Sequence, residues 1–121
     1  MSIPFFCALL SAGTLLVSAT AAQANTVVIT EGWMMRNSAE QCAKYAKKVA
    51  FKAGFAKGHE YLKSDDRLNH SVYAYTSVGP YAMAVNCNEK TGVASLAVSG
   101  VIAEKTSIMY DKVVAAYRKI Q

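Results

Sequence analysis

The first 24 residues contain no charged side chain, and nothing later in the chain repeats the spacing of a known catalytic or metal centre. Each absence excludes something. No serine sits in a nucleophile-elbow context, so covalent hydrolysis has no starting point. Asp65-Asp66 lacks the alternation of a calcium loop. Two widely separated cysteines are too few ligands for a zinc site. No nucleic-acid recognition motif accompanies the basic residues. These gaps predict a protein that is not an enzyme and carries no cofactor, resident metal or nucleic acid.

The uncharged beginning is itself a signal. Phe5 to Ala22 are mostly apolar, and Ala22-Gln23-Ala24 is a small-x-small triplet of the kind cleaved after a secretory leader. Met1-Ser2-Ile3-Pro4 lacks the usual Lys or Arg, so an uncleaved anchor is the rival reading, the run being near the ~18 residues at which a spanning helix begins. Residues 1–24 are read as a secretory signal peptide and residues 25–121 as a single small domain, periplasmic or secreted. One of the three cysteines, Cys7, leaves with the leader. Cys42 and Cys87 remain, and in an exported chain such a pair predicts a disulfide, with two buried free thiols as the alternative.

What is present organises around Tyr81–Gly100. Two runs rich in Ala, Val, Leu and Met flank Asn88-Glu89-Lys90-Thr91-Gly92, and a polar turn ending in Gly reads as a β-hairpin. A loop of Glu89–Gly92 would pair Cys87 with Ala94, Val85 with Leu96 and Met83 with Val98, gathering the bulkier side chains on one face. Thr26–Thr30 reads as a first strand, followed by a connection, Glu31–Arg36. Its Trp33, Met34 and Met35 resemble a ligand box but more often cap the end of a core. Ser38-Ala39-Glu40-Gln41 has the form of a capping box opening a helix to about Ala53. Its apolar side is Cys42, Ala46, Val49, Ala50 and Ala53. Gly54 is the expected stop, with Phe55 folding back. Residues 56–71 are the most polar stretch, holding His59, Glu60, Asp65, Asp66, Arg67 and His70, and read as a solvated loop. Val72–Val78 alternates as a strand ending at Gly79-Pro80. A last helix spans about Ala103–Ile120, with Thr106, Met109, Tyr110, Val113, Tyr117 and Ile120 as its buried stripe.

The expected architecture is therefore α+β, a two-layer sandwich in the order β-α-β-β-β-α. Its four-stranded, largely antiparallel sheet would carry both helices on one face. The opposite face would stay open, lined by Tyr73, Tyr75, Ala82, Ala84, Ser95 and Ala97, a surface suited to a partner or to homodimerisation because Tyr is favoured at interfaces.

Several landmarks recur in order: Cys42 in an Ala-rich helix ending Ala53-Gly54-Phe55, then Ser71-Val72-Tyr73, the Gly79 turn, Cys87 six residues after Tyr81, and Val98-Ser99-Gly100 before a last helix. This series resembles small exported bacterial domains of uncharacterised function that pair a helix cysteine with a strand cysteine. The resemblance implies fold, export and disulfide, and no activity. Asn86 stands where such domains often carry a cation.

The net charge of +5 favours acidic surroundings and solubility alike. Three functions follow as expectations. The first is a non-enzymatic exported module that binds an envelope protein or an anionic envelope component. The second is a basic, envelope-associated structural or stress protein held by the lysines of the first helix. The third is a small metal-binding protein or hydrolase using His59, Asp65, Asp66 and His70.

Overall fold

Seven elements follow one another in the computed structural model, which describes residues 26–120. They are β1 (Val27–Met34), α1 (Ala39–Lys52), β2 (Lys57–Lys63), β3 (Asn69–Tyr75), β4 (Ala82–Asn88), β5 (Val93–Gly100) and α2 (Ala103–Ile120). The strands form one antiparallel five-stranded sheet in the order β1-β5-β4-β3-β2. The segment read as a secretory leader lies outside the described residues. Among the described residues no helix is long and apolar enough to cross a membrane.

The β4–β5 hairpin has the register its sequence predicts, with Cys87 opposite Ala94, Val85 opposite Leu96 and Met83 opposite Val98. Those side chains are buried, as are Val72 and Ala74 of β3. α1 packs on β3 and β4, α2 packs on β5 and β1, and the two helices touch each other. Both layers therefore close over a single core.

Three features fix α1. Ser38 caps it, its hydroxyl accepting from the Gln41 N–H at 3.2 Å, which satisfies one of the orphan donors of the first turn. The Ala39 N–H donates to Glu89 of the hairpin turn at 3.1 Å, so a carboxylate sits at the positive end of the helix. At the other end Gly54 adopts φ +94°. The Phe55 N–H then bonds Ala50 O at 2.8 Å and the Gly54 N–H bonds Phe51 O at 3.2 Å, the paired bonds of a Schellman ending. The buried side of α1 is Ala39, Cys42, Ala43, Ala46, Val49 and Ala50. Such small side chains let the helix lie close enough to β4 for Cys42 and Cys87 to form a disulfide with Cα atoms 6.1 Å apart.

The four-strand expectation is corrected to five. Residues 57–63, read as part of a loop, form edge strand β2, paired with β3 through Glu60–Tyr73, Tyr61–Val72, Leu62–Ser71 and Lys63–His70. An edge strand has one neighbour and one half-covered face, so charged positions such as Lys57, Glu60 and Lys63 serve it well and hide its period from a hydrophobicity reading. β3 accordingly spans 69–75, rather than 72–78, and Val78 stands exposed in the turn beyond it. β1 is also longer than expected. It continues through Glu31–Met34, where each residue pairs with β5.

Candidate functional site

On the side that no described element covers, the register sets out four rows running across the strands. Lys57, Tyr75, Ala82, Ser99 and Val28 form one, and Glu60, Tyr73, Ala84, Ala97 and Thr30 the next. Leu62, Ser71, Asn86, Ser95 and Gly32 follow, then Asn69, Asn88, Val93 and Met34. The six residues singled out from sequence, Tyr73, Tyr75, Ala82, Ala84, Ser95 and Ala97, therefore lie in adjacent rows of one surface.

The chemistry of this surface is graded. Its centre carries mostly Ala and Ser, whose short side chains rise little above the strands. Its rim carries large apolar groups: Val28 is 55% exposed, Leu62 53%, Tyr75 49% and Met34 70%. Its charged side chains, Lys57 and Glu60, both belong to β2. One polar knot interrupts it, where Asn86 Nδ2 donates to Asn69 Oδ1 at 2.7 Å and to Ser71 Oγ at 2.8 Å. Asn86 is thus spent holding β3 to β4.

The polar 56–71 stretch divides into strand and turn. Its histidines occupy separate settings. His59 stacks on Phe51 with ring centroids 4.3 Å apart, and its Nε2 donates to Phe55 O at 2.7 Å. His70 is buried, and its Nε2 lies 2.8 Å from Arg67 O. A carbonyl only accepts, so Nε2 bears the hydrogen and Nδ1 accepts from the Tyr61 hydroxyl. Asp66 pins the β2–β3 turn, accepting from Ser64 Oγ at 2.5 Å and from the Leu68 N–H at 3.1 Å, with Lys90 Nζ at 2.7 Å. Lys90 above all, then the Ser64 and Leu68 hydrogen bonds, hold its carboxyl well below the usual carboxylate range. Among the described residues no three His, Cys, Asp or Glu side chains gather closely enough to hold a metal ion.

The lysines of α1 are partly engaged. Lys44 lies 3.1 Å from Glu40, and Lys47 sits over the Tyr61 ring at 3.9 Å from its centroid. Lys48 and Lys52 are exposed.

On the helix side, a cleft of about 570 Å³ opens where the β1–α1 connection meets the two helices. Trp33, Met35, Arg36, Asn37, Tyr45 and Tyr117 are among its walls, and Cys42 of the disulfide borders it. Trp33 and Met35 were legible as candidates in the sequence. Tyr45 and Arg36 were not, since only tertiary packing brings α1 and the connection to opposite sides of one space. Trp33 meets Tyr117 edge to face, with centroids 5.1 Å apart. The Tyr117 hydroxyl is buried without a hydrogen-bond partner among the described residues, and burial pushes its phenol above the ordinary tyrosine range.

A buried hydroxyl with no partner costs about 1–3 kcal/mol, so Tyr117→Phe should stabilise the domain, raising the midpoint of thermal unfolding by several degrees. It should also change the alkaline limb. A folded-state pKa raised above the unfolded value gives stability that is full below the unfolded pKa and fades as pH rises through the folded one. Wild-type stability should therefore decline above about pH 10, the ordinary tyrosine pKa. The Phe variant should lose this tyrosine's contribution to the decline, which denaturant titrations from pH 7 to 11 would show.

Comparison with protein-family models, with curated proteins and with solved structures gave no match.

Proposed function

We propose that this chain is a non-enzymatic binding module exported to an oxidising compartment, periplasmic or extracellular, where its uncovered sheet face holds a protein of the cell envelope. The observation that carries this reading is the composition of that face. Exposed Val28, Leu62, Tyr75 and Met34 stand around a centre of small side chains, with charge only along β2; exposed apolar patches mark interaction surfaces, and Tyr and Met are enriched at them. With one cation and one anion, Lys57 and Glu60, both on β2, the face suits a largely uncharged protein surface as the partner rather than an anionic polymer. Export is supported by the uncharged apolar leader and by the Cys42–Cys87 pair at disulfide distance.

The test is site-specific photocrosslinking in the native host. A benzophenone side chain replacing Tyr75 should give one discrete protein adduct, and the same group replacing Lys48 on the helix side should not. Ala84→Arg or Ala97→Arg, each placing an unpaired cation at the centre of the face, should abolish the Tyr75 adduct while leaving the unfolding midpoint nearly unchanged, since surface changes usually stay within about 0.5 kcal/mol. An adduct of two copies of this chain would replace the envelope partner with a homodimer. An adduct indifferent to both arginines would end the reading.

A further inference from the structure

The cleft on the helix side is a second feature, bordering the sheet face at Met34. Its volume, about 570 Å³, falls within the range of small-molecule sites, which are mostly apolar and carry a few placed polar groups. Trp33, Tyr45 and Tyr117 supply aromatic walls. Met35 supplies an adaptable thioether that fits irregular apolar shapes. The polar contribution is uneven: Arg36 and Asn37 share one short connection, and among the described residues no acidic side chain lines the space. Among the described residues Arg36 has no carboxylate within ion-pair distance. Apolar walls with one unpaired guanidinium form a charge pattern that selects the sign of a ligand, because guanidinium binds carboxylate through paired N–H donors.

We propose that this cleft binds a small apolar molecule bearing a single carboxylate, of the acyl-carboxylate class, with its chain among Trp33, Tyr45, Tyr117 and Met35 and its anionic end at Arg36. The site shares Met34 with the rim of the uncovered sheet face, but its aromatic walls and Arg36 lie outside that face.

Trp33 is the chain's one tryptophan; it also borders a smaller cavity with Glu31 and Arg118, so its emission is read together with the Met35 methyl, which belongs to this cleft. The experiment titrates the protein purified from its host with decanoate, well below the concentration at which decanoate forms micelles, and with decanol as the uncharged counterpart. Trp33 fluorescence and the NMR signals of methyl-labelled methionines are followed together. Decanoate should change Trp33 emission saturably at one molar equivalent and shift the Met35 methyl, leaving that of Met83, buried in the β4 core, in place. Arg36 is exposed, so Arg36→Gln should fold normally. It should weaken decanoate at least about tenfold while changing decanol binding less than about twofold. Ala84→Arg on the sheet face should bind decanoate as the wild type does, so failure of the interface reading and failure of this one are told apart. Absence of a saturable Trp33 response to decanoate would overturn the proposal, as would equal weakening of decanoate and decanol in Arg36→Gln. So would a Met83 shift without a Met35 shift.

Discussion

Reducing the Cys42–Cys87 bond is expected to bring this domain close to unfolding at physiological temperature. The bond joins residues 45 positions apart, and constraining a loop of that length in the unfolded chain contributes about 4 kcal/mol in the chain-entropy account. Small domains have about 5–15 kcal/mol in total, and this one has a core whose helix α1 offers mainly alanine. The bond is also positional. With Ser38 and Glu89 it fixes the first half of α1 onto β4, so its loss frees the helix that covers β3 and β4. In urea, with a slope of about 1–2 kcal/mol per molar for a protein of this size, the midpoint of Cys42→Ala/Cys87→Ala should fall by at least about 2 M. Cys87 is fully buried and Cys42 nearly so. Thiol labelling in native buffer with reductant should accordingly follow the opening of the fold rather than the chemistry of exposed sulfur. A midpoint shift below about 0.5 M would show that packing of α1, rather than the cross-link, holds the helix in place.

How much of this could be read beforehand depended on whether the signal was local. The β4–β5 register was legible because both strands alternate and Gly92, at φ +68°, closes a turn of defined length. α1 was legible at both ends because Ser38 and Gly54 are local signals, and α2 because its stripe recurs along one helix. β2 was not legible. Its apolar content is Tyr61 and Leu62, on opposite faces, and its pairing depends on β3, beyond a turn held by Asp66 and by Arg67 at φ +60°. The second half of β1 was hidden by Glu31 and Gly32, which break the apolar pattern. Its partner residues in β5 lie 59 to 65 positions away, and Glu31 is accommodated on the helix side by the Tyr110 hydroxyl. The uncovered face was readable as a set of alternating positions, and Val28 fell in a strand already read, whereas Met34 and Leu62 of its rim required the second half of β1 and the edge strand β2, which the sequence left indistinct. The cleft follows the same rule: Trp33, Met34 and Met35 were visible as an unusual cluster, but Arg36, Tyr45 and Tyr117 joined them as one site only through packing.

Phe55→Ala is expected to cost about 3–5 kcal/mol, the range for truncating a fully buried aromatic ring, although Phe55 belongs to neither a helix nor a strand. Its side chain is completely buried and heads the fully buried residues by volume. It is delivered to the core by the turn that ends α1. Gly54 takes a left-handed conformation, and the Phe55 N–H reaches back to Ala50, so the ring returns under the helix instead of continuing toward β2. The cavity left by alanine has little with which to collapse, because the core side of α1 is mainly alanine, with Ala46, Val49, Ala50 and Ala53 in the same buried cluster as Phe55. Gly54→Ala tests the other half of the device. Nothing lies within 4 Å of an added Cβ there, so its cost is conformational alone, about 1 kcal/mol for a left-handed non-glycine residue. Phe55→Leu should fall between the two, keeping most of the apolar contact. Urea unfolding of the three variants should therefore rank them Gly54→Ala, Phe55→Leu, Phe55→Ala in increasing loss. A Phe55→Ala loss no larger than that of Gly54→Ala would mean that the core closes without this ring, and that the turn only ends the helix.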